Sequence, residues 1–256
     1  EDTVGEVRIR AVNAEQATEG FSQGDFDAVL GGRLANLPLA STGPLSRGNV
    51  RLDAAIGLFG LDVLKPAGFL GVTANREALA MALDRQGLMQ PFNIGGWFPS
   101  TRIVPVELSS SGGLPVERWV IQSIEERRSE ARQRVAQWRA ASGQEPRVRI
   151  YLPPGPGSDL LFDGLAEDFA AIGVSTTRSE TVGNADLALR DRVARYPSPR
   201  WFLNQFNCTI DKTQCSEDAD YLVSLALDAR DPAEEASYLL EAENTLLAAN
   251  RNVKIG

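Results

Sequence analysis

Apolar and polar residues alternate over EVRIRAV (6–12), the pattern of a half-buried strand. The stretch that follows, AEQATEGFSQGDFDAVLGG (14–32), predicts a short helix, a glycine stop and a second strand, which is βαβ order. Residues 33–62 are rich in turn formers such as LPLASTGPLSRGN, and AIGLFGLDV (55–63) is an apolar run expected as a buried strand. The clearest helical spacing lies in NREALAMALDRQGLM (75–89), with Asn75 as N-cap, Ala78, Leu79, Ala82 and Leu83 as the apolar stripe, and Gly87 as the stop. Glycines and prolines then interrupt the pattern in NIGGWFPSTRIVP (93–105). A second amphipathic helix is predicted over 124–141, with Ala131, Val135 and Trp138 on one side and Gly143 at its end.

A further βαβ unit begins at RVRIYL (147–152) and continues through a helix over 158–173 and a strand over 173–180 to ADLALRD (185–191). Ser158 is placed to cap that helix, Leu161, Leu165, Phe169 and Ile172 to form its buried stripe, and Gly173 to end it. Two helices are expected near the C-terminus, over 216–230 and 231–250, the second with Asp231, Pro232 and Glu234 in cap, first-turn and capping-box positions. Between these regions lies ARYPSPRWFLNQFNC (194–208), dense in aromatics. Pro197 and Pro199 fix two φ angles and make Tyr196 and Ser198 extended. Phe202 and Phe206 read as core, whereas Tyr196 and Trp201 fit a core and a ligand wall equally well. Trp97, after a Gly-Gly pair, either walls a pocket or packs beneath its own loop.

Composition narrows the chemistry. A formal net charge of −8 over 256 residues disfavours nucleic acid, which needs a basic face. The arginines of EERRSEARQRVAQWR (125–139) alternate with acids one turn away, the pattern of a solvated helix face. There is no histidine, which removes the usual general base and the commonest transition-metal ligand and excludes a Ser-His-Asp hydrolase. Nucleophile-elbow, S-x-x-K, phosphate-loop and dinucleotide-binding motifs are absent as well. LPPGPGSD (152–159) reads as a turn between strand and helix rather than an anion cradle. Cys208 and Cys215 are the only cysteines, so the choice lies between a disulfide and two free buried thiols. Their closeness within one polar loop favours the disulfide and a compartment outside the cytoplasm. The chain starts EDTVGEVRIR, polar and acidic, so any leader peptide is expected to have been removed.

Four stretches, in order, carry a resemblance: GDFDAV (24–29), REALAMALDR (76–85), RVRIYLPPGPGSDLLFDGLAEDFAAIGV (147–174) and YPSPRWFLNQFNC (196–208). Together they resemble the peptide/nickel-type (family 5, dipeptide- and oligopeptide-binding) extracytoplasmic solute-binding proteins of ABC importers. The resemblance implies an α/β fold, a periplasmic-binding-protein-like lobe in which a mixed sheet is flanked by helices, with a partial segment of the other lobe. On that basis the chain reads as a fragment, with 1–62 a piece of lobe I and 63–256 lobe II. It implies a binding protein rather than an enzyme: a monomer in the periplasm or otherwise extracytoplasmic, holding a peptide or peptide-like solute between two lobes and delivering it to an ABC permease in the membrane. No cofactor, metal or nucleic acid is implied, and the nickel-binding branch is disfavoured by the missing histidine.

The ligand-binding candidates carried by this likeness are Trp97, Arg195, Tyr196 and Trp201, with Cys208 and Cys215 paired in the loop that follows. The family's peptide binders hold a ligand α-amino group with an aspartate four residues before the proline that matches Pro199. Arg195 stands there in this chain, so the ligand is held another way or Asp191 or another acid supplies the charge. Two other functions fit the same residues: a sensor or chaperone with this fold, and a carboxylate-dependent α/β hydrolase, which needs convergent acids where most acids here lie on helix faces.

Overall fold

A computed structural model of the protein describes residues 5–40, 50–53, 55–109 and 117–256. The chain gathers into two compact units, one of residues 1–52 and 154–159, the other of 53–153 and 160–256.

The smaller unit is built around α1 (Ala14–Gln23). Asn13 caps it by accepting a 2.8 Å hydrogen bond from the Gln16 amide, and Gly24, at φ 82°, closes it in the left-handed conformation. A short helix, α2 (Leu37–Ala40), follows. Neither predicted strand forms. Residues 5–12 and 26–32 enter no ladder among the described residues, and Val7, Ile9 and Leu30 are 75%, 91% and 92% exposed. An alternating pattern supplies the face of a strand, but the backbone groups still need a neighbouring strand to bond. The glycines of the 152–159 turn have a packing reason. A Cβ on Gly157 or Gly155 would collide with the carbonyl of Leu34 or Ala35, so chain 34–36 occupies the space above this turn.

The larger unit holds a five-stranded sheet in the order β3-β2-β4-β1-β5, formed by β1 (Gly57–Val63), β2 (Arg147–Tyr151), β3 (Ser175–Arg178), β4 (Leu187–Val193) and β5 (Asn252–Lys254). β1 runs antiparallel to both β4 and β5, pairing Leu61 with Leu189 and Val253, while β2 runs parallel to β3 and β4. Four carboxyl ends therefore point one way. β1 is paired on both sides within this unit, which begins at Asp53.

Helices cover the sheet. α6 (Pro156–Ala170) presents Leu161, Leu165 and Phe169, with Ile172 just beyond it, all buried as their spacing predicts. Ser158 does not cap this helix. The helix begins two residues earlier, and the Ser158 hydroxyl is buried without a partner. The long helix expected over 75–89 divides into α3 (Thr73–Ala82) and α4 (Arg85–Met89), because Leu83 is extended at ψ 124°. Asp84 caps α4 by accepting from the Gly87 amide at 3.0 Å, and Gly87 gives the carboxylate room instead of stopping a helix. Asn75 sits inside α3 and donates to the Phe69 carbonyl at 2.9 Å. α5 (Ile124–Ser142) has a complete capping box between Ser123 and Glu126 and ends at Gly143, φ 66°. Its Trp138 packs edge-on to Phe69, with ring centroids 5.2 Å apart. Its arginines do more than face water: Arg134 reaches Glu130 and Glu77, and Arg128 pairs with the buried Asp168. α8 (Glu217–Asp228) and α9 (Pro232–Ala248) close the unit. Asp231 and Pro232 start α9 as expected, but the Glu234 carboxylate accepts from the Tyr238 hydroxyl, not from the cap backbone.

Candidate functional site

In an open sheet with parallel strands, the carboxyl ends are where a ligand can meet loops of variable sequence. Three of the four sequence candidates come to that end. Past the last β1–β4 pair, Gly57 with Val193, the chain continues through Ala194, whose amide donates to the Ile56 carbonyl at 2.8 Å, and then reaches Arg195 and Tyr196. Both are exposed, and Arg195 makes no hydrogen bond or ion pair among the described residues. Ser198 is extended before Pro199, as the proline requires. Pro199 then opens a helix, α7 (Pro199–Asn204), which the sequence reading did not anticipate.

Trp97 reaches the same end from a different loop. Its indole meets Phe59 of β1 edge-on at 5.6 Å and lies against the backbone of Gly256, just past β5. It is half-buried, and its ring N–H has no acceptor among the described residues. The loop is anchored at two points. The Ser100 amide donates to the Ile255 carbonyl, and Glu243 of α9 accepts from the amides of Ile103 and Val104 at 2.9 Å each while pairing with Arg102 at 2.8 Å. Glu243 escaped the sequence reading, although a carboxylate beside the buried Leu239, Ala242 and Leu246 is itself a signal that it has partners.

Trp201 is the exception. It is 6% exposed, stacked edge-on with Phe202 at 4.9 Å and packed in the cluster that includes Phe206, Val223 and Leu239. The first turn of α7 points it inward, where it packs as part of this cluster.

Beneath Arg195, charge is organised around Arg190. This buried guanidinium holds Asp62 at 2.7 Å and Asp211 at 3.2 Å, donates to the Gln205 carbonyl and lies 4.8 Å from the Phe206 ring centre. Asp211 belongs to the loop closed by the disulfide between Cys208 and Cys215, whose Cα atoms are 4.9 Å apart. Arg251 binds the carbonyls of Thr213 and Cys215, and Gln214 donates to the Val63 carbonyl, so the loop is fastened to the sheet. Arg192, exposed, donates to the Gln205 side chain at 3.0 Å. Among the described residues no three metal-ligating side chains converge. Nor is any described helix long and apolar enough to cross a membrane.

No protein-family model matches the chain, and no curated protein matches it. Solved structures do. OppA of Haemophilus influenzae, in complex with the peptide RPPGFSPFR, superposes with a TM-score of 0.80 at 16% identity over 94% of this chain and 50% of its own. The murein tripeptide binding protein MppA of Escherichia coli gives 0.68 at 17% identity over 78% of this chain and 42% of its own. A periplasmic oligopeptide-binding protein of Borrelia burgdorferi gives 0.62 at 16% identity over 77% and 42%. The fold is that of these peptide-binding proteins. The chain spans about half the length of the structures it matches, and the mixed sheet flanked by helices is the fold class expected.

Proposed function

We propose that this protein is the substrate-binding component of an ABC importer, an extracytoplasmic protein that captures a peptide or peptide-like solute between two lobes and presents it to a membrane permease. The observation that carries this is the superposition of 94% of the chain on a peptide-bound binding protein. In this reading the larger unit is lobe II and the N-terminal residues are part of lobe I. Closure of two lobes around ligand is the mechanism that such a division serves.

Arg195, Tyr196 and Trp97 are the proposed ligand contacts. They share one end of the sheet, and an exposed guanidinium at that end suits a ligand with a carboxylate or another oxygen-rich group. The test is native mass spectrometry of the protein purified from the cells that make it. A co-purified peptide-like solute at one per protein supports the reading. Protein that arrives empty and binds no member of a peptide library overturns it. With the solute in hand, Arg195→Ala is expected to weaken binding by more than about tenfold, the scale of a charge-assisted hydrogen bond, and Arg195→Lys to restore only part. Unchanged affinity in calorimetry of both variants removes Arg195 from the site.

A further inference from the structure

A polar pocket inside the larger unit has none of Arg195, Tyr196 and Trp97 in its lining, and it has no part in the reading above. Arg85, Glu117, Trp119, Gln214 and Lys254 line it, and it is a small cavity of about 20 Å³ with an open mouth. Two of these residues are buried cations. Lys254 is 4% exposed on β5, donates to the Asn252 side chain at 2.5 Å and lies 4.6 Å from the Phe206 ring centre. Arg85, 7% exposed, donates to the carbonyls of Lys254 and Ala80 and stacks 5.3 Å from the centre of the Trp119 ring.

Neither cation has a carboxylate within 4.0 Å among the described residues. Buried charges are ordinarily paired, because an uncompensated one bears the full cost of leaving water. The candidates for counter-ion are already engaged or set back: Asp62 is held by Arg190, Glu243 by Arg102, and Glu117 lies beyond ion-pair distance at the pocket rim. Burial accordingly depresses both cations, Lys254 to about 7 and Arg85 to about 9. Two more groups in the same lining lack partners. The Trp119 ring N–H, on a side chain 1% exposed, has no acceptor, and the Gln214 side-chain oxygen, on a residue 2% exposed, has no donor. Gln214 is not free to turn, since its amide nitrogen is committed to the Val63 carbonyl.

We infer that this pocket is a binding site for a small carboxylate, held by Lys254, Arg85 and the Trp119 N–H. A carboxylate supplies the missing counter-ion and an acceptor for the indole in one group, entering through the open mouth. The carboxylate has two sources, a free small acid or the C-terminus of a peptide.

The experiment uses protein with ¹⁵N-labelled indoles, the Trp119 signal being assigned with Trp119→Phe. Acetate, the dipeptide Ala-Ala and its C-terminal amide are titrated in turn. Acetate and Ala-Ala are expected to shift the Trp119 N–H signal saturably, and the amide is expected not to. Tighter binding of Ala-Ala than of acetate names the peptide terminus as the source, and the reverse order names a free acid. Lys254→Met, which keeps the bulk without the charge, is expected to fold and to lose about tenfold or more in affinity, as removal of a charged hydrogen-bond partner does. The inference is overturned by any of three results: no saturable shift with either acid up to tens of millimolar, equal binding of the amide, or unchanged affinity in folded Lys254→Met. None of these results bears on whether a solute is captured at Arg195.

Discussion

Residues 7–10 read Val-Arg-Ile-Arg and residues 148–151 read Val-Arg-Ile-Tyr, yet the two stretches meet different fates. In β2, Val148 and Ile150 are fully buried beneath helix α6, and the strand is bonded on both sides, to β3 and β4. In the smaller unit, Val7 and Ile9 stand in the open and their backbone enters no ladder among the described residues. Local preference is nearly the same in both, so the difference is tertiary: a strand forms where neighbours complete its hydrogen bonds and cover its apolar face. In a two-lobed protein of the kind proposed, residues 7–10 are expected to gain a partner strand that the described residues do not supply.

The largest expected effect separates the two isoleucines. All four tryptophans, Trp97, Trp119, Trp138 and Trp201, lie in the larger unit, so their fluorescence during urea unfolding reports on it alone. Ile150→Ala is expected to cost about 2–5 kcal/mol by that measure, the usual toll of a core cavity. Ile9→Ala is expected to stay within about 0.5 kcal/mol, as exposed changes do. Similar losses at both positions break the comparison.

A smaller effect is expected from the staple that only the larger unit has. Replacing Cys208 and Cys215 together by serine removes a cross-link between residues seven apart, worth roughly 2–3 kcal/mol in the chain-entropy model. The fluorescence midpoint then falls, and Asp211 loses the loop that holds it to Arg190. An unmoved midpoint shows that Gln214 and Arg251 hold the loop without the disulfide.

Smaller still is the pH response, again confined to the larger unit. Lys254 is faced by Asp62, Arg190, Glu243 and Glu117, and burial lowers it to about 7. Between that value and an ordinary lysine value of 10.5, the unfolded chain binds more protons than the native one, so stability is expected to rise with pH, by at most about 1.4 kcal/mol per unit. Asp168 acts in the opposite sense. Burial, opposed by the Asp84 amide and by Arg128, raises it from 3.8 to about 6, so the native state holds the extra proton and stability falls as pH climbs through that window. Urea midpoints that rise between pH 7 and 9 in the wild type and stay flat over that range in Lys254→Met fit this account; above pH 9 the lowered Arg85 adds a rise of its own in both proteins. A rise between pH 7 and 9 that survives the substitution contradicts it.

How much was legible follows from the same contrast. The buried stripe of α6, the capping of α5 and α9, and the strand over 57–63 announce themselves because periodicity and caps are local. The break at Leu83 and the helix at Pro199 depend on what packs nearby: Asp84 turns to cap α4, and Trp201 turns into the core. The site shows the same split. Arg195 and Tyr196 could be singled out from their segment, whereas Glu243, Lys254 and Trp119 sit in runs of mixed polarity that mark none of them, and only the assembled unit shows which groups they meet and which they lack.

The most direct test of the central claim, that the chain is part of a two-lobed solute binder, is amide hydrogen exchange at residues 7–10 in the protein purified from the cells that make it. The account predicts slow exchange there, within reach of the protection at 148–150, because a complete first lobe would supply the neighbouring strand. Exchange at the rate of a free peptide contradicts it, since the alternating segment would then have no partner anywhere in the protein.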